Sequence, residues 1–333
     1  MADQNLITDL PGIRVGNVHD EEVLSGVTAI VFDRSNVASV TIRGGAPGTR
    51  DTELLQPEMS AQGVEAVLLT GGSLFGLDAA GGAVNCLRQQ GRGLVIGRVN
   101  IPIAVQAITF DLINGGDKDW GRSPPYWQMG WEAVEAAKSG DFPLGSVGGG
   151  FGTTTATLKG GLGSASATTP TGIRVGAIAV VNSVGTATVG NGPYFWAGAY
   201  EQGQEFGGLG FPHQLPPDAL SLRMKGGAPP STTICLVVTD ASLSKAQAQR
   251  LAIMADDGLA RAVRPAHAPM DGDTVFAVST LEKPLLDPTS HLTEIGSFAA
   301  DCLARAIARG VYHASIPCPA YTGPPGYQDV HSR

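Results

Sequence analysis

Very little in this chain of 333 residues points to secretion, membranes, metals or nucleic acid. The opening residues, MADQNLITDLPG, lack a basic stretch followed by an apolar one, so a secretory signal is not expected. No apolar run reaches the length needed to cross a bilayer. Cysteine is scarce: Cys86, Cys235, Cys302 and Cys318 are scattered without CxxC spacing, which argues against a disulfide or metal framework. Three of the four sit in apolar sequence, as small core residues do. A reducing compartment fits, most simply the cytoplasm. Excess positive charge is also missing. With 22 Lys and Arg against 30 Asp and Glu, the net charge is −8, and no basic footprint exists for nucleic acid or an anionic membrane surface. The six histidines form no ligand-spaced pair, and GxSxG, HExxH and GxxxxGK[ST] are all absent. The segment Val147–Gly152, VGGGFG, lacks both the strand-helix context and the following acidic residue of a dinucleotide fingerprint. No cofactor or metal is therefore expected.

What the chain has is material for a large core. Hydrophobic residues make up 43% and charged residues 16%, and the 46 glycines show no collagen-like period. GIRVGNV, GVTAIVFD and ASVTIRGG read as separate strands. Residues Ser73 to Arg88 read as a deeply buried helix, apolar or small on nearly every side. Trp127 and Trp131 lie four residues apart on one face of a second helix. VGGGFGTTTATLKGGLGSAS and TGIRVGAIAVVNSVGTATVG read as strands joined by glycine turns. Residues 203–230 show no period and are rich in Gly and Pro, as a linker is. STTICLVVTD then reads as a strand buried on both faces. SLSKAQAQRLAIMADDGLARAV reads as a capped helix, DGDTVFAVST as a buried strand, and SHLTEIGSFAADCLARAIARG as a helix stopped by Gly310. The Pro/Gly-rich tail after Pro317 is expected to be poorly ordered. Strands in groups and helices in pairs imply sheets inside and helices outside.

The junction Gly226 to Ile234 is where chemistry is expected. A Gly/Pro linker runs straight into a buried strand, with Ser231, Thr232 and Thr233 at the boundary. A threonine hydroxyl there can attack the carbonyl before it and shift the acyl group from nitrogen to oxygen. Hydrolysis of that ester frees an N-terminal threonine. Its α-amine, with an unperturbed pKa of about 7.7–8.0, then serves as the base for its own hydroxyl. An ordinary linker-to-strand junction reads the same way locally.

Six segments in this order resemble the DmpA-type family of self-processing hydrolases: RGGAPGTRDTELL, LTGGSLFGLDAAGGA, GFGTTTATLKGGLGSAS, VVNSVG, STTICLVVTDA and MDGDTVFAVST. The family spans L-aminopeptidase/D-esterases, β-peptidyl aminopeptidases and 6-aminohexanoate-oligomer (nylon-oligomer) hydrolases. The resemblance covers nearly the whole chain. It implies an α/β fold, an αββα sandwich of the N-terminal-nucleophile type, in a single domain over 1–333. It also implies a cut between Ser231 and Thr232 into an α chain, 1–231, and a β chain, 232–333, that stay together. Relatives carry Asn or Gly before the cut, and Ser231 departs from that. Thr232 falls at the nucleophile position. Asp271 and Asp273 fall at the acidic pair that would hold the threonine amine and hydroxyl. Lys159 falls at an active-site lysine able to compensate them, and Asn182 at an oxyanion-stabilising asparagine, a device often worth about 10²–10³ in rate. Ala156 stands where aminopeptidase relatives carry a tyrosine. That departure favours the nylon-oligomer branch and an endo-acting cut of aliphatic oligoamides. The alternatives are an aminopeptidase on short peptides, β-peptides included, an acetyltransferase of the ornithine type, and a non-catalytic relative. Tyr126, Trp127, Tyr194, Phe195 and Trp196 are candidates for a substrate groove or for core and interface. The resemblance further implies a homotetramer and a small oligoamide or peptide substrate.

Overall fold

The computed structural model describes residues 4–227 and 229–331, so Ala228 of the expected linker lies outside the described residues. The strands in chain order are β1 (Ile13–Asp20), β2 (Ser25–Ile42), β3 (Thr49–Arg50), β4 (Val64–Thr70), β5 (Leu94–Ile96), β6 (Val99–Ile101), β7 (Ala104–Ile108), β8 (Leu162–Thr168), β9 (Arg174–Asn182), β10 (Thr232–Ala241) and β11 (Thr274–Lys283). The helices are α1 (Ser73–Gly76), α2 (Ala79–Gln89), α3 (Tyr126–Glu135), α4 (Lys245–Ala262), α5 (Pro288–Tyr312) and α6 (Tyr327–His331).

Hydrogen bonding runs in the order β3-β7-β4-β2-β11-β10-β9-β8, with β1 paired to β2, and β5 and β6 forming a separate hairpin. The path folds into two layers because β2 serves both. Its first half pairs with β1 and β4, its second half with β11, and Asp33, Arg34 and Ser35 lie exposed between the halves. The stretches GVTAIVFD and ASVTIRGG are thus one long strand that changes layers, not two. Parallel pairing occurs between β4 and β7 and between β10 and β11, and helices occupy both connections, as crossovers require.

Three apolar layers follow from strand alternation. Ile30, Phe32, Val67 and Leu69 of one sheet layer meet Ile178, Val180, Leu236 and Phe276 of the other. The outer face of the first layer packs on α2 and α3 through Ala29, Leu68, Ala83, Leu87 and Tyr126. The outer face of the second packs on α4 and α5 through Cys235, Val237, Leu251, Leu259, Leu303 and Ile307. This is the αββα sandwich. All ten residues of β10 are buried, and each Val, Leu or Ile in it contributes about 1.5–3 kcal/mol.

Local expectations met mixed outcomes. Helix α4 starts at a reciprocal capping box between Ser244 and Gln247. The helix expected over Ser73 to Arg88 is broken between Gly76 and Ala79, and Leu74 and Phe75 are 68% and 48% exposed, so its first turn is not buried. Gly310 does not stop α5, which continues to Tyr312. It sits against β8 instead: a Cβ on Gly163 would lie 1.9 Å from the Ala306 carbonyl oxygen and 2.4 Å from the Gly310 nitrogen. Glycine is there for close approach. The tail after Pro317 is packed rather than loose: Tyr327 is buried, and the Lys159 N–H donates to the Pro325 carbonyl at 2.7 Å. Of the aromatic candidates, Tyr126 and Phe195 belong to the core, and Trp127 stacks on Trp131 at 5.8 Å between ring centroids.

Candidate active site

Thr232 opens β10 and is paired in register with Asn182, the last residue of β9. Pairing runs one residue further on the other side, where Ser231 meets Asp271 in a parallel bridge. The Ser231 N–H donates to the Met270 carbonyl at 3.1 Å, and the Gly272 N–H donates to the Ser231 carbonyl at 2.9 Å. That same carbonyl oxygen accepts the Thr232 hydroxyl. The bond before Thr232 is therefore held at both flanks, with its carbonyl facing a backbone donor and the hydroxyl of the following residue. Thr232 is only 4% exposed. Gly272 has no room for a side chain: a Cβ would meet Thr232 Oγ1 at 2.8 Å and the Ala46 carbonyl oxygen at 2.9 Å.

The acidic pair lies on the Gly272 side. Asp273 Oδ1 accepts the Thr233 N–H at 2.8 Å, and Asp271 accepts N–H groups from Val184 at 3.3 Å and Ala268 at 3.1 Å. Both side chains are buried. Burial, joined by the charge of Asp273, pushes the Asp271 carboxyl up to about 6, against backbone N–H donors and Lys225 that pull it down. The glycine-rich segment after β2 explains itself here. Arg43 and Gly44 donate their N–H groups to the Asp273 carbonyl, at 3.0 and 3.3 Å, and Ala46 donates to that of Asp271, at 2.8 Å. It is a backbone cradle for the Asp-Gly-Asp turn.

The structure does not seat Lys159 beside Asp271 and Asp273. Lys159 precedes β8 in a turn closed by an isolated bridge to Thr154, not in a strand. Its ammonium donates to the carbonyls of Gly150 at 3.0 Å and Gly160 at 2.8 Å. Burial lowers it to about 7, with Asp111 opposing and Lys225 reinforcing the shift. The cation facing Asp271 is Lys225, in the Gly/Pro segment before the strand. Lys225 Nζ donates to both the backbone and side-chain oxygens of Asn182 at 3.1 Å, and burial lowers it, too, to about 7. Asn182 Oδ1 also accepts the Thr154 N–H at 3.0 Å, while Nδ2 donates to the Phe110 carbonyl at 2.9 Å. The second N–H of that amide has no partner among the described residues.

A cleft of about 210 Å³ opens beside these residues, lined among others by Phe110, Asp111, Asn114, Ala156, Lys225, Pro229 and Pro230. Ala156 thus sits in its wall, where a tyrosine side chain would fill it. Asp111 is 2% exposed, accepts from Ser25 Oγ and the Gly72 N–H at 2.7 Å each, and has its carboxyl raised by burial. Asn114 Oδ1 is buried with no partner among the described residues. Sequence reasoning missed Asp111, Lys225 and a histidine, His267, whose Nδ1 lies 3.0 Å from Asp273 Oδ2. Each lies in a loop outside the motif it completes, with Lys225 and His267 only a few residues ahead of Thr232 and Asp271 in the chain. No local signal marks Lys225, because the Gly/Pro segment also carries Glu205, His213, Asp218 and Arg223. No group of His, Cys, Asp and Glu suited to a metal occurs among the described residues.

The sandwich is the fold of the Ntn-hydrolase type, and the family and relatives that match the chain make it a hydrolase of amide bonds. Residues 5–317 match the model of peptidase family S58. An uncharacterized aminopeptidase of Mycobacterium bovis is 40% identical, over 98% of this chain and 98% of its own. A 6-aminohexanoate-oligomer endohydrolase of Paenarthrobacter ureafaciens is 27% identical, over 89% of this chain and 80% of its own. The L-aminopeptidase D-Ala-esterase/amidase of Ochrobactrum anthropi, described as a variant of the Ntn hydrolase fold, superposes with a TM-score of 0.65 at 21% identity, covering 93% of this chain and 86% of that one. The chain belongs to peptidase family S58.

Proposed function

We propose that this protein is a self-processing hydrolase whose nucleophile is Thr232, acting on short linear amides that carry a free amino end. One observation carries the reading: the Ser231 carbonyl receives the Thr232 hydroxyl and the Gly272 N–H together. Attack by Oγ on that carbonyl carbon develops negative charge on an oxygen that already faces a backbone donor. Collapse of the tetrahedral species breaks the C–N bond and leaves an ester on Thr232. The proton lost by the hydroxyl goes to the departing nitrogen, which becomes the free threonine α-amine; water then cleaves the ester, releasing the Ser231 carboxylate and restoring the Thr232 hydroxyl. In the mature site the α-amine takes the hydroxyl proton and returns it to the leaving amine of the substrate. Asn182 supplies a side-chain N–H to the oxyanion, and Asp271 and Asp273 hold the new ammonium in register. Lys159 and Lys225 balance the acidic cleft. The homotetramer expected from the family is part of this reading, and light scattering tests it.

Intact-mass spectrometry of the purified protein reads the cut directly. We expect two chains, 1–231 and 232–333, and for Thr232→Ala one chain without amidase activity. An active, uncut wild type, or a cut and active Thr232→Ala, sinks the assignment.

Asp111 favours exo-cleavage. A carboxylate buried in the cleft wall without an ion pair among the described residues is a costly arrangement. Lys118 and Lys159 act on this carboxylate without a direct ion pair, and a substrate ammonium would add one, with Asn114 Oδ1 as a second acceptor. The 40% identical mycobacterial chain bears an aminopeptidase name, which agrees. The second reading is the endo-cut of aliphatic oligoamides. It is supported by Ala156, which leaves the wall open to an extended chain, and by the 27% identical endohydrolase. Incubation with a linear 6-aminohexanoate tetramer separates them. Monomer plus trimer as first products marks the exo-cut, and dimer alone the endo-cut.

A further inference from the structure

His267 stands outside every motif of the sequence, yet both of its ring nitrogens are engaged by carboxylates. Nδ1 lies 3.0 Å from Asp273 Oδ2 and Nε2 3.4 Å from Asp256 Oδ2. Its backbone N–H donates to the same Asp273 oxygen at 2.9 Å. Asp273 in turn uses its other oxygen, Oδ1, for the Thr233 N–H at 2.8 Å. The contacts form one line from the middle of α4, through an imidazole and a carboxylate, to the backbone beside Thr232. Asp256 is 6% exposed, and its Oδ1 has no hydrogen-bond partner among the described residues.

A carboxylate only accepts, and a neutral imidazole has one donor and one acceptor nitrogen. Towards Asp273 the ring must present a proton on Nδ1, because the carboxylate only accepts. The contact with Asp256 is an ion-pair distance, and it is attractive when Nε2 or the Asp256 carboxyl carries a further proton. The charged groups around the ring are Asp273 and Asp271 from the turn before β11, Asp256 from α4 with Asp257 beside it, and Arg43 from the end of β2, whose Nε lies 3.7 Å from Asp256 Oδ2. Asp256, Asp271 and Asp273, the three that act on the ring itself, outweigh one guanidinium and favour the proton staying. Consistently, the bond to Asp273 raises the His267 imidazole above its ordinary value against its burial, and burial raises Asp256 to about 6.

We propose that His267 is a positioning residue for the Thr232 nucleophile: clamped between Asp256 and Asp273, it fixes the carboxylate that holds the start of β10. The inference rests on the reading of Thr232 given above. Its role in the reaction is indirect, because Asp273 and the Thr233 backbone stand between the imidazole and the reacting hydroxyl.

The signs follow from the charges. Removing the imidazole takes a cation from Asp256 and Asp271, so their carboxyls rise and the acid limb of the pH–rate profile moves to higher pH. Removing Asp256 takes away an influence that holds the proton on His267, so the alkaline limb moves to lower pH.

The chain's own Ser231–Thr232 bond serves as substrate. Full-length protein made by cell-free synthesis is diluted into buffers from about pH 5 to 9, where histidine titrates, and the cut fraction is followed by intact mass. We expect His267→Gln to slow the cut by roughly tenfold or more, the scale of losing a group that orients a reacting one, and to shift the acid limb upward. Asp256→Asn should shift the alkaline limb downward. If His267→Gln does not fold, Asp256→Asn alone decides. Folded variants with the wild-type profile overturn the inference while leaving Thr232 as nucleophile. A wild type that never cuts overturns both, and shows the fault to lie with Thr232.

Discussion

Thr232 meets the Ser231 carbonyl because the residue on the other side of that carbonyl is glycine. Gly272 gives the oxygen its N–H at 2.9 Å while occupying no space near the hydroxyl. A Cβ there would lie 2.8 Å from Thr232 Oγ1 and 2.9 Å from the Ala46 oxygen. Two neighbours, one of them backbone, must then give way, and the hydroxyl is the more mobile. Gly272→Ala is expected to fold, since the clash is confined to the turn, but to lose the cut by roughly a hundredfold, as loss of an aligned oxyanion donor does. Time-resolved intact mass measures this, and a wild-type cutting rate in Gly272→Ala would refute the assignment of that contact. The glycine was visible in the sequence as the centre of an Asp-Gly-Asp triplet. His267 and Asp256 were not, for their partnership with Asp273 depends on a loop and a helix meeting in space. Neither residue has a local pattern that distinguishes it from a surface group.

At the scale of elements, legibility followed burial. Strand β10 could be read because a continuous apolar run bounded by Pro and Asp has few other uses, and all ten of its residues are buried. Strand β2 was read as two pieces because polar residues Asp33 to Asn36 interrupt it. Those residues mark the place where the strand passes between layers, and hydrophobic period cannot distinguish a crossing from a turn. Gly310 differs from its expected role as a stop for a related reason. Glycine near a helix end suggests a stop, but here it lets α5 lie on Gly161 and Gly163 of the chain at β8. That contact yields a prediction. A methyl group on Gly163 points at the Ala306 carbonyl oxygen at 1.9 Å, inside the helix backbone, where no rotamer change can relieve it. Gly163→Ala should destabilise the protein by about 1–3 kcal/mol or more, by overpacking. Urea unfolding of the uncut Thr232→Ala background, with and without the second change, measures the difference. Equal midpoints would mean that α5 does not approach the sheet as closely as described.

The whole molecule places the proposed cut where breaking the chain leaves the fold standing. Strand β10 lies between β9 and β11, and its antiparallel neighbour β9 belongs to the upstream chain. β11, its parallel neighbour, belongs to the downstream one and borders β2 of the upstream chain. A cut before Thr232 therefore leaves the downstream piece bonded on two flanks to upstream strands, with α4 and α5 covering the outer face. No route out exists that does not expose the core of both layers. The two chains should elute together from a sizing column and part only in denaturant. Unfolding is where the cut matters. While whole, the precursor can refold by closing loops within one chain, a cost that grows slowly with loop length. Once cut, the fragments diffuse apart on unfolding, and recovery needs a bimolecular encounter of two pieces with exposed strand edges, which also aggregate. Thermal cycling at micromolar concentration should thus return most of the Thr232→Ala signal and little of the wild-type signal. Equal recovery of the two, with the wild type verified as cut, would show that the downstream piece is not woven into the sheet as the strand order requires.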